Sequence, residues 1–168
     1  MTQQATHLAV RKTITVEATP ERAFAVWTDG LATWWPLDSH HIGAETPVTA
    51  VIEPRAGGRC YERDADGTEC DWGVVRTWEP PTRLVVGWHL QPDWSFDPDP
   101  ARATEYEVRF VDEGGGRTRV EVEHRGFEIY GDRAEEIRDT YLQPNAWGMV
   151  LELYAKVMRP KPNPNPRP

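Results

Sequence analysis

A chain of 168 residues, 39% apolar and 27% charged, has the length and composition of one domain that buries its own core without staples. Its net charge of −8 argues against a nucleic-acid partner, which normally meets a basic face. No run approaches the roughly 20 apolar residues of a membrane span.

Met1 to Ala9 carries no charged segment followed by an apolar stretch, so no secretion signal is expected. Cys60 and Cys70 are too few for a disulfide framework and are expected as reduced thiols in a cytoplasmic protein. Val10 to Glu17 then alternates, with Val10, Ile14 and Val16 on one face, which predicts a half-buried strand. Thr19-Pro20-Glu21 is a helix start, with Thr19 as N-cap and Pro20 in the first helical position. Ala23, Phe24, Trp27 and Leu31 fall at helical spacing. Gly30 can end that helix, and Leu31 to Trp35 predicts a second short one stopping before Pro36.

From Val48 to Arg125 the period is that of strands, predicted over 48–53, 59–64, 69–78, 83–90, 104–111 and 118–125. Short connections such as Asp64-Ala65-Asp66-Gly67 and Glu113-Gly114-Gly115-Gly116 make this an antiparallel meander. The exception is Gln91 to Ala103, a Pro- and Asp-rich connection carrying Trp94 and Phe96, which reads as a lid or a packed flap. Asp132-x-x-Glu135 resembles a capping box opening a short helix. Pro144 is expected to start a final helix with Trp147, Val150, Leu151, Tyr154 and Met158 as its apolar stripe. Residues 8–158 then form one domain, and 159–168 a disordered Pro-rich tail. The class is α+β: a curved antiparallel sheet of about seven strands around a long C-terminal helix, with two short helices after the first strand.

Period-2 alternation assigns the inner face. Glu105, Glu107 and Arg109 point out, so Tyr106, Val108 and Phe110 point in; Val120, Val122 and His124 point in opposite Arg119, Glu121 and Glu123. Trp72, Val74, Arg76 and Trp78 share one face, as do Leu84, Val86, Trp88 and Leu90. So many inward rings, among eight Trp in the chain, predict an apolar cavity that the closing helix does not fill. Trp72, Trp88, Tyr106 and Phe110 are expected to line it, with Trp94 and Phe96 near its mouth. Trp147 and Leu151 would face it from the helix. Arg76 and Glu62 either bridge at the sheet rim or orient a ligand, and His124 is either a satisfied core histidine or a proton carrier.

No phosphate loop, nucleophile elbow or C-x-x-C unit is present, and His40-His41 lacks a second ligand pair at metal spacing, so neither metal nor cofactor is expected. The expected partner is a small hydrophobic molecule.

Thr19-Pro20-Glu21-Arg22-Ala23-Phe24, Trp34-Trp35-Pro36, Gly57-Gly58-Arg59, Asp71-Trp72-Gly73 and Trp78-Glu79-Pro80-Pro81, in this order, resemble the START-like helix-grip (SRPBCC) proteins. More narrowly they resemble the branch related to the activator of the heat-shock protein 90 ATPase. Trp34-Trp35-Pro36, Asp97-Pro98-Asp99 and Thr118 to His124 are similar also to enediyne self-resistance proteins. The resemblance implies a helix-grip fold and a ligand cavity. It transfers no catalytic residue, because cyclases of the family have no invariant set. Among activities it implies a carrier, a cyclase or dehydratase using His124 or Glu62, a self-sacrificing resistance protein, or a co-chaperone-like domain. For the sacrificial role Gly114 is the position that matches the cleaved glycine.

Overall fold

The computed structural model describes residues 8–159; the expectations for the extreme N-terminus and for the Pro-rich stretch from residue 160 lie outside the described residues. β1 (Val10–Val16) leads into α1 (Pro20–Thr28), where the Thr19 hydroxyl accepts from the Arg22 N–H. A single 3-10 turn, Leu31–Thr33, stands where the second short helix was expected. β2 (Thr49–Ile52), β3 (Arg59–Arg63), β4 (Glu69–Glu79), β5 (Arg83–Trp88), β6 (Thr104–Gly114) and β7 (Arg117–Arg125) follow, then α2 (Ala134–Thr140) and α3 (Trp147–Lys156).

The seven strands form one antiparallel sheet ordered β1-β7-β6-β5-β4-β3-β2. Neighbours in sequence pair throughout β2 to β7. Among the described residues the one long crossover carries α1 from β1 to the far edge, and α1 and α3 lie together on one face. There Phe24 packs its ring 5.0 Å from Trp78 and 5.2 Å from Phe110, and the Tyr154 hydroxyl of α3 donates to the Ala23 carbonyl at 2.6 Å.

The stripe on α3 is buried as its spacing predicts, Tyr154 completely and Leu151 to 3% exposure. Truncating Leu151 to Ala should cost about 3 kcal/mol by urea unfolding, through lost transfer free energy and the cavity left behind. A loss within about 0.5 kcal/mol would remove Leu151 from the core.

α3 begins at Trp147, not at Pro144, because Gln143 to Ala146 forms a turn closed by Ala146 N–H donating to the Gln143 carbonyl at 2.9 Å. The capping box at Asp132 and Glu135 does not form. Gly131, at φ 57° and ψ −125°, breaks the 3-10 stretch Phe127–Arg133, and α2 starts at Ala134 with no side-chain cap.

Faces of β5, β6 and β7 follow the period-2 reading, but β4 departs from it. Register shifts opposite Cys60/Tyr61 and between Val75 and Thr77 insert residues into β4, and each insertion inverts the alternation downstream. Trp72, Val75 and Trp78 therefore face the helices. Val74 pairs with Gly87 and turns to the convex side with Arg76. Glycine is required here, since a Cβ on Gly73 would sit 1.8 Å from the Gly87 carbonyl oxygen.

On the convex side the charges interlock. Glu107 points away from the helices yet is only 4% exposed, because Arg83, Arg109 and Arg125 close over it. Burial pushes its carboxyl upward, but hydrogen bonds from Arg125 and Arg83 outweigh that and hold it down at about 2.

Candidate functional site

A cavity of about 390 Å³ opens at one end of the concave face, between the Trp35–Ile42 segment, the sheet, α3 and the tail of α2. Trp72 and Trp88 supply the sheet wall, Trp147 and Val150 the helix wall, and Leu90 the edge toward the 91–103 connection. That connection is a packed flap. Phe96 stacks on His89 with ring centroids 5.5 Å apart, and the Gln91 side-chain amide donates to the carbonyls of His89 and Arg102. Trp94, at φ 68°, sits at its tip, 47% exposed, edge-on to Tyr141 at 6.3 Å over the mouth.

The indole N–H groups of the wall are already used by the protein. Trp35 donates to the His40 carbonyl at 3.0 Å, Trp72 to Glu62 Oε1 at 2.8 Å, Trp88 to the Tyr141 hydroxyl at 3.1 Å and Trp147 to His124 Nδ1 at 3.1 Å. Carbon surfaces of the rings are what these four residues offer a ligand. Polar groups come from one side, where Ser39, His40, His41, Thr140, Tyr141 and Asn145 meet. Burial pushes the Tyr141 phenol well above its usual range, so its O–H stays protonated near neutrality.

Of the residues expected from sequence, Trp72, Trp88, Trp94 and Trp147 line this cavity. Tyr106, Phe110, Val122 and Leu151 are buried in the core behind them, with Tyr106 packed 5.0 Å from Trp147. Phe96 lies against His89 instead of the mouth. Val74 and Arg76 are excluded by the β4 bulges: Arg76 donates to Glu105 on the convex face at 2.6 Å and never meets Glu62. Glu62 is buried behind Trp72, where Oε1 accepts from the Ile42 N–H and Trp72 Nε1 and Oε2 from the Gly43 N–H.

His124 is fully buried. With Nδ1 accepting from Trp147, Nε2 carries the proton and faces the Thr104 hydroxyl at 2.8 Å. Burial pushes its pKa down to about 3, so it is a neutral core histidine out of reach of the cavity. Neither His124 nor Glu62 is placed to carry a proton to a ligand.

Sequence reasoning missed Trp35, His40, His41, Ile42 and Tyr141. Only the Trp34-Trp35-Pro36 and His40-His41 pairs stood out in advance, the first as a motif and the second as a discounted metal pair. Among the described residues no three His, Cys, Asp or Glu side chains are grouped to hold a metal ion. Cys60 and Cys70 are free thiols, and among the described residues no helix is long and apolar enough to cross a membrane.

Gly114 ends β6, in a turn where Gly114, Gly115 and Gly116 all take positive φ. The cavity lies near the other end of that strand, where Thr104 pairs with Trp88. Ten residues at about 3.3 Å each put Gly114 roughly 30 Å along the strand from it.

Solved structures similar to this chain include the anthrahydroquino-gamma-pyrone synthase Txn09, 39% identical over 89% of this chain and 96% of that one, with a TM-score of 0.62. The self-sacrificing resistance protein CalC from Micromonospora echinospora is 32% identical over 89% of this chain and 93% of that one, with a TM-score of 0.63. Protein NE0264 from Nitrosomonas europaea, 12% identical over 91% and 95% of the two chains with a TM-score of 0.63, shares the fold. None of the curated proteins matches the chain. The family model described as activator of Hsp90 ATPase homolog 1-like protein matches residues 17–153, and with most of its length so matched the chain belongs to that family.

Proposed function

We propose that the protein binds a flat, largely apolar aromatic molecule in the Trp-walled cavity without transforming it. The observation that carries this is the wall itself: four indoles have their N–H groups turned to protein acceptors and their carbon surfaces toward a space of about 390 Å³. A cavity of that size suits a ligand of a few fused rings. Trp94 and the flap supply a partial cover.

Titration with a panel of aromatic polyketides and fatty acids, followed by Trp fluorescence, tests the reading. Planar aromatics should give a saturable quench and fatty acids a weaker one. Ala146 lines the space, and Ala146→Trp should fill it and abolish the quench without lowering the melting temperature. No saturable response from any compound would overturn the proposal.

A second reading is favoured by the 39% identity to the pyrone synthase: the same cavity closes a ring on an aromatic polyketide. It differs in outcome, since a binding protein returns its ligand unchanged and a cyclase returns an altered one. A sacrificial cut at Gly114 has support in the 32% identity to CalC and is a separate proposal, because a ligand seated in the cavity does not reach that turn.

A further inference from the structure

The polar side of the cavity carries a hydrogen-bond chain with a fixed direction. His40 Nε2 lies 2.8 Å from the Asn145 backbone carbonyl, and a carbonyl oxygen only accepts, so Nε2 must hold the ring proton. In the neutral imidazole this leaves Nδ1 as a lone pair. The Ser39 hydroxyl stands 2.8 Å from Nδ1 and donates to it. The Pro36 carbonyl is the alternative acceptor, and at 3.5 Å it is too distant to compete. With its proton committed to His40, Ser39 Oγ faces outward as an acceptor. His41 repeats the logic: Nδ1 lies 3.0 Å from the Gly43 carbonyl and holds its proton there, leaving Nε2 as a lone pair.

The geometry points to Ser39–His40 as the acceptor for an aromatic hydroxyl, so that the ligand class is a phenolic polycycle. This rests on the binding reading above and deepens it. An indole ring holds no acceptor for a hydroxyl proton, so a hydroxyl on an otherwise flat ligand finds its acceptor on this polar side. The chain can also move the proton. The ligand O–H passes its proton to Ser39 Oγ as the Ser39 proton passes to His40 Nδ1, leaving an aryl oxide beside an imidazolium whose Nε2–H is held by Asn145. No oxidant or co-reactant is required.

The test pairs 2-hydroxyanthraquinone with 2-methoxyanthraquinone, which differ by the hydroxyl proton and one methyl group. The hydroxy compound should bind about tenfold tighter, the scale of one well-made hydrogen bond. Its visible band should shift to the red on binding, as charge builds on the phenolic oxygen. Ser39 is exposed, so Ser39→Ala should keep the wild-type melting temperature and still bind the methoxy probe saturably, while removing both the preference and the shift. His40→Phe should also remove both, with its melting temperature and its methoxy affinity measured alongside because it loses the Asn145 contact that helps shape this segment. Absence of the preference, of its dependence on Ser39 or of the red shift overturns the assignment, and the binding reading survives if the methoxy probe still binds. Saturable binding of neither compound removes both.

Discussion

Replacing Glu62 by Ala is expected to destabilise the protein by about 4 kcal/mol and to remove ligand binding at the same time. The buried carboxylate accepts three hydrogen bonds, from the Ile42 and Gly43 N–H groups at 2.8 and 3.1 Å and from Trp72 Nε1 at 2.8 Å. Hydrogen bonds to a charged acceptor contribute about 1.5–3 kcal/mol each, and the carboxylate's own desolvation cost, recovered on truncation, offsets part of their sum. The functional half of the prediction follows from what those donors belong to. Ile42 ends the segment that carries Ser39, His40 and His41, and Trp72 is the sheet wall, so one side chain sets two walls relative to each other. Urea unfolding and a fluorescence titration on the same variant check both halves. A loss below about 1 kcal/mol, or unchanged affinity in a folded variant, would mean the segment is held by its other contacts, such as His40 to Asn145.

The way Glu62 works explains how much of this molecule was legible beforehand. Strand periodicity read the faces of β5, β6 and β7 correctly because a helix-covered sheet must alternate. It failed on β4, where an extra residue at each bulge reverses the alternation without any mark in composition. That is why Arg76 was placed beside Glu62 and lies instead beside Glu105. The rings on regular elements, Trp88 and Trp147, could be found as cavity residues by spacing alone; Trp72 faces the cavity from the first β4 bulge. The Trp35–Ile42 segment could not be found so, since its shape comes from three attachments, the last two long-range: Trp34 Nε1 to the Val26 carbonyl, His40 to Asn145, and the Ile42 and Gly43 amides to Glu62. Adjacent Trp34 and Trp35 separate accordingly, one into the core and one to the cavity. A third of the lining of the candidate site therefore depends on contacts that reach from 8 to 105 positions along the chain, which no periodic pattern encodes.

Acid should unfold the protein through His124 before it does so through the carboxylates. The ring is fully buried and neutral, with a folded pKa of about 3 against an ordinary value of 6.5. A depressed folded pKa means that the unfolded chain binds the proton first. The contribution is complete above pH 6.5 and is lost progressively as pH falls toward about 3. The unfolding free energy should drop by about 2 kcal/mol between pH 7.5 and pH 5, and by about 4–5 kcal/mol in total by pH 3. Glu107 also has a depressed folded value, about 2 against 4.5, but its loss begins only below about pH 4.5. The interval from pH 6.5 to 4.5 thus isolates the histidine. His124→Gln, which cannot titrate, should lie lower at pH 7.5 because it remakes the contacts to Trp147 and Thr104 less well, and should be nearly flat across that interval. Two results would overturn the assignment: an equal slope in wild type and variant, or imidazole proton resonances of His124 that titrate in the folded protein with a midpoint near 6.5. Either would mean that water and protons reach the ring, and the Trp147 wall it supports would then be far more open than its packing indicates.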